Sequence, residues 1–169
     1  MIESGESRSK IVKLISLFPG IHLRELQRAL GVSFNSVRYN TGKLADRGEI
    51  NCEKTRGHSR FFPVGMTEKD KLLYSCMRNN TTLKLLQILT WEPQVSSKTL
   101  SEATGYAKST VSEHVHHLID LNLARITLSL EGNFKVELLE RERVAELVSS
   151  ELKAHDRDIV GNFADLWDF

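Results

Sequence analysis

An internal repeat with an offset of 74 residues constrains this chain more than any other feature of its sequence. The stretch ALGVSFNSVRYNTGKLADRGEI, Ala29 to Ile50, is echoed by ATGYAKSTVSEHVHHLIDLNLA, Ala103 to Ala124. The coinciding identities are Ala29 with Ala103, Gly31 with Gly105, Val37 with Val111, Leu44 with Leu118 and Asp46 with Asp120. Each copy has the pattern of a short helix, a glycine turn and a longer helix, which is the layout of a helix-turn-helix.

A β-hairpin is predicted directly behind the longer helix of each copy. In the first copy, runs at Ile50 to Thr55 and Ser59 to Val64 flank Arg56-Gly57-His58; in the second, runs at Arg125 to Leu130 and Phe134 to Leu138 flank Glu131-Gly132-Asn133. A hairpin in this place is the wing of a winged helix. The predicted fold class is therefore mainly α with small β-hairpin wings: two tandem winged-helix domains plus a C-terminal helix. The expected boundaries are 1–65 for domain 1, 66–80 for a linking helix, 81–138 for domain 2 and 139–169 for the C-terminal helix.

Helix ends follow from capping signals. In the first copy we expect helices over residues 7–17, 23–30 and 34–47, with Ser33 as the N-cap of the third and Pro19-Gly20 ending the first. In the second copy we expect helices over residues 81–90, up to Thr104 from an N-cap at Ser97, and 108–122. Thr67 and Asp70 give the linking helix a start resembling a capping box.

Charge is distributed unevenly along the chain. Residues 1–65 carry 11 Lys and Arg against 6 Asp and Glu, a net charge of +5. Residues 81–136 are neutral, with 5 of each sign, and residues 137–169 have a net charge of −5. A basic first domain indicates a polyanionic partner there, and the acidic tail indicates a different role.

In a winged helix the third helix enters the major groove of DNA, and its first turns contact base edges. Arg38 suits guanine and Asn35 suits adenine, whereas Lys43 and the charges of the wing suit phosphates. Because Val37, Thr41 and Leu44 take the core face, Arg38, Tyr39 and Lys43 are expected to point outward. The predicted DNA-binding residues of the first copy are Ser33, Asn35, Ser36, Arg38, Tyr39, Lys43, Lys54, Arg56 and Arg60.

The second copy has a weaker DNA-binding pattern, because Glu113 would repel phosphates and its wing has only Lys135 near Glu131. It either contacts DNA or serves as a structural or dimer-forming copy. The predicted DNA-binding residues of the second copy are Lys108, Ser109, Thr110, Ser112 and His116. His114 and His117, three apart on a helix, allow a shared metal ion, but no cysteine or acidic cluster completes such a site. No metal is predicted.

Composition fits an ordinary soluble protein, with 40% hydrophobic and 27% charged residues. There is no apolar run of membrane-spanning length and no signal-peptide pattern, so we expect no membrane association. Cys52 and Cys76 lack metal-type spacing and suit a reducing cytoplasm. No phosphate loop or nucleophile motif occurs, which favours a protein that is not an enzyme and has no cofactor.

The segment SSKTLSEATGYAKSTVSEHVHHLIDLNLARI, Ser96 to Ile126, resembles the helix-turn-helix of ArsR- and MarR-type winged-helix transcription regulators. The first copy, Leu23 to Ile50, is similar. Two such units in one chain resemble the tandem winged-helix regulators common in archaea. The resemblance implies a transcription regulator that binds double-stranded DNA. It does not imply metal sensing, because the cysteine pattern of the metal-sensing ArsR proteins is absent.

An apolar stripe along the tail completes the prediction. It is expected either to pack on the chain's own domains or to form a homodimer helix, in which case the contact residues are Val144, Leu147, Val148, Leu152, Ile159, Phe163 and Trp167. The resulting hypothesis is a cytoplasmic, nucleoid-associated, sequence-specific regulator that acts as a homodimer and contacts the transcription machinery. Its alternatives are a winged-helix protein–protein adaptor or architectural DNA-binding subunit, and an RNA-binding protein.

Overall fold

The structure, a computed structural model, describes residues 2–55 and 57–156 of the chain. Within this described part there are eight helices and five strands. The elements up to residue 77 are α1 (Ile2–Leu17), β1 (Ile21–His22), α2 (Leu23–Leu30), α3 (Phe34–Asp46), β2 (Ile50–Thr55), β3 (His58–Pro63) and α4 (Glu68–Met77). The elements after it are α5 (Asn80–Trp91), α6 (Ser97–Thr104), α7 (Lys108–Asp120), β4 (Ala124–Leu128), β5 (Phe134–Leu138) and α8 (Arg141–Asp156).

The chain divides into two compact units. The first contains the residues up to Lys71 and the end of α8 from Leu152, and the second contains Leu72 to Glu151. The division therefore falls inside α4, within the expected linking helix, and inside α8. No helix among residues 2–55 and 57–156 has the length and apolar character needed to cross a membrane.

In the first unit, α1, α2 and α3 enclose a core that a small sheet closes. The three strands lie in the order β1-β3-β2, and both pairings are antiparallel. The register pairs Thr55 with His58, so β2 and β3 form a tight hairpin. The core residues are Ile11, Leu14, Ile15, Phe18, Ile21, Leu26, Val37, Leu44, Ile50 and Phe61.

The second unit has the same order of helices and hairpin. Strands β4 and β5 pair antiparallel, and Val95 forms an isolated bridge with Val136 on the other edge of β5. Positions related by the 74-residue offset are buried in both units, so the repeat is a repeat of core positions. These pairs are Ile11 and Leu85, Ile15 and Leu89, Ile21 and Val95, Leu26 and Leu100, Val37 and Val111, Leu44 and Leu118, and Ile50 and Ala124.

Several capping predictions are confirmed and one is wrong. Ser33 caps α3 by accepting a hydrogen bond from the Ser36 backbone N–H at 3.2 Å, and Thr67 accepts one from the Asp70 N–H at 3.1 Å. The N-cap of α6 is Ser96 rather than Ser97, because its hydroxyl accepts from the Thr99 N–H at 3.0 Å. Where two serines are adjacent, the sequence alone does not show which of them is the N-cap, the residue just before the first helical turn.

Candidate nucleic-acid interface

Helix α3 presents one polar face to solvent. Its opposite face buries Val37, Thr41 and Leu44, as the helical spacing predicts, and this leaves the predicted contact residues outside. Asn35, Arg38, Tyr39 and Lys43 are exposed, Ser33 is exposed at the N-cap, and Ser36 is half-buried. The predicted outward face of α3 is therefore confirmed as an exposed surface, while its contact with DNA stays a prediction.

The orientation of α3 is fixed by Asn40, a buried polar residue that the sequence pattern did not single out. Its side-chain N–H donates to the Ser36 carbonyl at 3.0 Å, and its Oδ1 accepts from Arg8 Nε on α1 at 3.2 Å. A buried amide that is satisfied in this way holds two helices in one register. The first turns of α3 are thus held against α1 rather than free to tilt.

Tyr39 and Lys43 form a pair on this exposed face. The Lys43 ammonium lies 5.7 Å from the centroid of the Tyr39 ring, within the range of a cation–π contact. The ring is 59% exposed, so the contact orders both side chains without removing the charge from solvent. A flat ring beside a cation is suited to the sugar and phosphate edge of a nucleic-acid groove.

An open groove runs between α3 and the first hairpin. Arg38 and Gly42 line it on the helix side, and Lys54 and Ser59 line it on the strand side. Lys54 is exposed, as a wing cation facing a polyanion must be. Arg56, the predicted cation at the hairpin turn, lies outside the described residues.

A second groove adjoins the first and contains two arginines that the sequence analysis missed. It lies between α2 and β3, and its polar lining residues are His22, Arg24, Glu25, Arg28, His58, Ser59 and Arg60. Arg24 and Arg28, four residues apart on α2, are both exposed. Their spacing, on the side of α2 away from buried Leu26, was a signal available in the sequence. In a helix-turn-helix the second helix crosses the DNA backbone, so this is the place for phosphate contacts.

Glu25, the acidic residue in the lining of this groove, caps α2. Its Oε2 accepts from the His22 backbone N–H at 2.8 Å, in a capping box with His22 as the N-cap. The His22 and His58 rings meet edge to face with centroids 5.9 Å apart, which joins the start of α2 to the hairpin. The groove lining keeps a net positive charge, because Glu25 offsets only one of the three arginines Arg24, Arg28 and Arg60.

Arg60 has a partly internal role. Its Nη1 donates to the Gly20 carbonyl at 3.0 Å, which ties β3 to the turn after α1. The side chain is half-buried rather than exposed. The phosphate contact predicted for Arg60 remains a prediction, with part of the guanidinium already engaged inside the unit.

Helix α7, the counterpart of α3, exposes a different set of side chains. Lys108 and Ser109 are exposed at its start, whereas Thr110 and Ser112 are half-buried. Exposed His116 is hydrogen-bonded to its own helix, because its Nδ1–H donates to the Ser112 carbonyl at 2.7 Å. This face carries less positive charge than α3, and Glu113 is exposed on it.

His114 is directed toward the core of the second unit. Its Nδ1 lies 2.9 Å from the hydroxyl of buried Thr82 on α5. His114 therefore packs inward while His117 is exposed. Within residues 2–55 and 57–156, no three His, Cys, Asp or Glu side chains are grouped as a metal site would require.

The second hairpin has little free positive charge. Arg125 pairs with Glu137 across the strands, and Gln94 donates to the same carboxylate at 2.9 Å. The hydrogen bond from Gln94 and the pairing with Arg125 lower the pKa of Glu137. Lys135 is half-buried. The wing of the second unit is thus internally paired, where the wing of the first offers exposed Lys54.

Three of the residues predicted for dimerisation are not available on the surface. Val144, Leu147 and Val148 are 3%, 7% and 3% exposed in the single chain, so they cannot form an exposed stripe. This corrects the homodimer assignment for them and agrees with the alternative, in which this part of the tail packs on its own chain. Leu152 is half-buried, and Ile159, Phe163 and Trp167 lie outside the described residues.

Comparison with protein families identifies one segment. A family model described as winged helix-turn-helix DNA-binding matches residues 78–124, which include all of α5, α6 and α7. Residues 78–124 are therefore similar to winged helix-turn-helix DNA-binding domains. The matched segment is the second copy of the repeat, although the first copy carries the stronger basic surface. Comparison with curated proteins gave no match.

Solved structures of regulators show distant similarity. The AntR antimony-specific transcriptional repressor is 21% identical with a TM-score of 0.45, over 52% of this chain and 77% of that chain. A MarR-family transcriptional regulator from Silicibacter pomeroyi is 21% identical with a TM-score of 0.41, over 56% and 68%. The transcriptional regulator Tm0710 from Thermotoga maritima is 24% identical with a TM-score of 0.40, over 59% and 69%. Similarities of this size do not assign a function.

Proposed function

We propose that this protein is a sequence-specific transcription regulator that binds double-stranded DNA mainly through its first unit. The observation that carries the proposal is the continuous exposed basic surface formed by α3, α2 and the first hairpin. It combines Arg38 and Lys43 with Arg24, Arg28 and Lys54, while the nearby Glu25 caps α2. The winged helix-turn-helix class of residues 78–124 supports the same biochemical role for the chain.

Base reading is assigned to the first two turns of α3. We assign to Arg38 two hydrogen bonds to guanine and to Asn35 a pair of hydrogen bonds to adenine, because these side chains bind those bases in major grooves. The hydroxyl of Ser33 caps α3, so Ser33 positions the helix and does not read bases. Tyr39, Lys43, Lys54, Arg24 and Arg28 supply phosphate contacts, which set register and affinity without specifying bases.

The second unit is assigned an assisting role. Its α7 offers Lys108, Ser109 and Thr110 to the backbone of DNA, but exposed Glu113 and the paired Arg125 reduce its electrostatic contribution. We infer that two winged-helix units act in tandem, with the first supplying most DNA affinity. The protein acts as a homodimer, and its half-sites lie about one helical turn of DNA apart or a multiple of it. Its predicted cytoplasmic, nucleoid-associated location follows from DNA as the partner.

The test is fluorescence anisotropy with two labelled duplexes across a salt series: the region upstream of the protein's own gene and an unrelated sequence of equal length. Binding to the upstream region tighter by about 10³-fold, with a salt slope that indicates several phosphate contacts, is the expected result. Equal, steeply salt-dependent binding to both would instead indicate an architectural protein. Absence of binding at moderate salt would remove the proposal.

An adaptor function is the second candidate, and one observation favours it. The tip of the second hairpin exposes Ile126, Leu128, Leu130 and Phe134, which are not DNA-backbone ligands. Exposed apolar clusters of this kind mark protein contacts. A protein that binds both duplexes weakly while holding a different protein in stable association would be an adaptor.

A further inference from the structure

The tip of the second hairpin is an exposed apolar surface. Ile126 is 48% exposed, Leu128 65%, Leu130 fully exposed and Phe134 73%. Leu128 and Phe134 are register partners, so their side chains lie on the same face of the hairpin. Ile126, Leu128 and Phe134 lie on one face of the hairpin, and Leu130 projects from its turn. We call these four exposed apolar side chains the apolar tip.

The apolar tip is held in place by a regular turn. The Ser129 N–H donates to the Asn133 carbonyl at 2.8 Å, and the Gly132 N–H donates to the Ser129 carbonyl at 2.9 Å. Gly132 adopts a φ of +78°, in the left-handed region. The side chains are therefore presented outward by a structured hairpin rather than by an irregular loop.

DNA is a poor partner for this surface. The apolar tip carries Glu131, and the nearest cations are half-buried Lys135 and Arg125, which is paired with Glu137. Apolar side chains do enter the minor groove as wedges, but the proteins that use them rely on surrounding Lys and Arg to hold the backbone. The charges near the apolar tip thus favour a protein surface.

Strand β4 also has a free edge beside these side chains. In an antiparallel pair, the backbone groups of successive residues point alternately toward the partner strand and away from it. The hydrogen bonds from the Leu139 N–H to the Leu123 carbonyl and from the Ser129 N–H to the Asn133 carbonyl show which residues point toward the partner strand. By this alternation, the backbone groups of Ala124, Ile126 and Leu128 point away from β5. In the described part of the second unit β4 pairs with β5 alone, since Val95 bridges to the other edge of β5.

We propose that β4 pairs antiparallel with β4 of a second copy of this chain, centred on Ile126, to form a four-stranded sheet. A strand that meets itself across a two-fold axis is necessarily antiparallel, as this pairing requires. With Ile126 opposite its own copy, Leu128 faces the second copy's Ala124. Arg125 then faces Thr127, so the pairing places no like charges opposite one another.

The pairing gives the homodimer of the proposed function a contact surface in place of the buried Val144, Leu147 and Val148. The proposed pairing of β4 rests on that homodimer and does not depend on DNA binding. Five strand residues, with the apolar side chains of Ile126 and Leu128, bury less than the roughly 800 Å² per partner of a standard interface. The free protein is therefore a weak dimer, with a dissociation constant on the order of micromolar or above.

Disulfide trapping tests the pairing without DNA. Ile126→Cys is made in a Cys52→Ser background, which removes the exposed native thiol and leaves the buried Cys76. On mild oxidation we expect most of the protein to become a disulfide-linked dimer on a non-reducing gel. The matched control is Lys98→Cys in the same background, an exposed position on α6. Equal dimer yields from both variants would overturn the proposal.

Sedimentation equilibrium of Leu128→Arg provides a second measurement. Leu128 is 65% exposed, so the variant is expected to fold, as circular dichroism would check, and its dimer dissociation constant is expected to rise at least tenfold. An unchanged dimer would mean that the copies meet through another surface, which overturns this pairing but preserves the homodimer. Weaker DNA binding by Leu128→Arg with an unchanged dimer would identify the apolar tip as a DNA wedge, and would also overturn it.

Discussion

Lys71 lies buried at the start of α4, with its Nζ 3.0 Å from Glu53 Oε1 on β2 of the first hairpin. The same ammonium lies 2.6 Å from Glu68 Oε1. Glu53 stands directly across the hairpin from Arg60 and would otherwise subtract from the positive charge of the wing. Its pairing with Lys71 both occupies that carboxylate and fixes the wing strand to α4.

Lys71→Met is therefore expected to destabilise the protein by about 1–3 kcal/mol, because it removes a buried cation from two carboxylates. The hydrogen bonds from Glu68 and then from Glu53 raise the pKa of Lys71. A raised pKa means that the stabilisation is fully present below about pH 10, the ordinary lysine range, and is lost as the pH rises through the raised value. Urea unfolding of the wild type and of Lys71→Met at pH 7, 9 and 11 measures the difference in their unfolding free energies.

The control for that experiment is Lys98→Met, which alters an exposed lysine and should change the unfolding free energy by less than about 0.5 kcal/mol. The difference between wild type and Lys71→Met should stay constant from pH 7 to 9 and shrink by pH 11. A difference that disappears between pH 7 and 9 would contradict the role of the Lys71 ammonium.

The two turn glycines require a left-handed backbone. Gly31 has a φ of +64° and Gly105 a φ of +73°, and an added Cβ would meet no atom within 4 Å at either position. The cost of Gly31→Ala or Gly105→Ala is thus conformational alone, and each should destabilise by about 1–2 kcal/mol. Gly42→Ala, inside α3 and equally uncrowded, should instead stabilise by about 0.5–1 kcal/mol. Thermal unfolding of the three variants gives the signs, and a stabilised Gly31→Ala would contradict the argument.

Much of the secondary structure was predictable because its signals are local. Gly31, Gly105 and Ser33 end or begin helices through their own backbone preferences and hydrogen bonds, and the helices they bound match expectation to within a residue or two. The start of α1 was not predictable in this way. The helix begins at Ile2 rather than Ser7 and runs through Gly5, a residue type that is unfavourable in a helix interior.

The exposed face of α3 was predictable for the same reason, since helical spacing decides which side is buried. Contacts between elements were not predictable. The inward bond of Arg60 to Gly20 and that of His114 to Thr82 depend on which elements pack together. The exposure of the apolar tip was also not predictable from the alternation of buried and exposed side chains along a strand. Ala124 and Ile126 share one face of β4, yet that face is buried at the base of the hairpin and exposed beyond it.

The groove between α2 and β3 leads to a prediction about salt dependence. Arg24→Ala and Arg28→Ala should each weaken binding to every duplex alike and lower the salt slope by about 1, because phosphates are contacted without base discrimination. Arg125→Ala serves as the control, since its guanidinium is already paired with Glu137. Anisotropy at several salt concentrations measures the slopes, and equal slopes for all variants would place the DNA elsewhere.

Arg38→Ala tests base reading directly. If Arg38 donates two hydrogen bonds to one guanine, its loss should cost about 1–3 kcal/mol on the best duplex and abolish the preference at that single base pair. Arg38→Lys should restore charge but not that preference, since an ammonium lacks the planar pair of donors. Arg47→Ala, at the other end of α3 and beside Glu49 at 3.8 Å, is the matched control and should leave the preference unchanged. Competition anisotropy against duplexes substituted one base pair at a time measures these effects. An Arg38→Ala protein with an unaltered preference would remove Arg38 from base recognition, because phosphate contacts alone cannot distinguish base pairs.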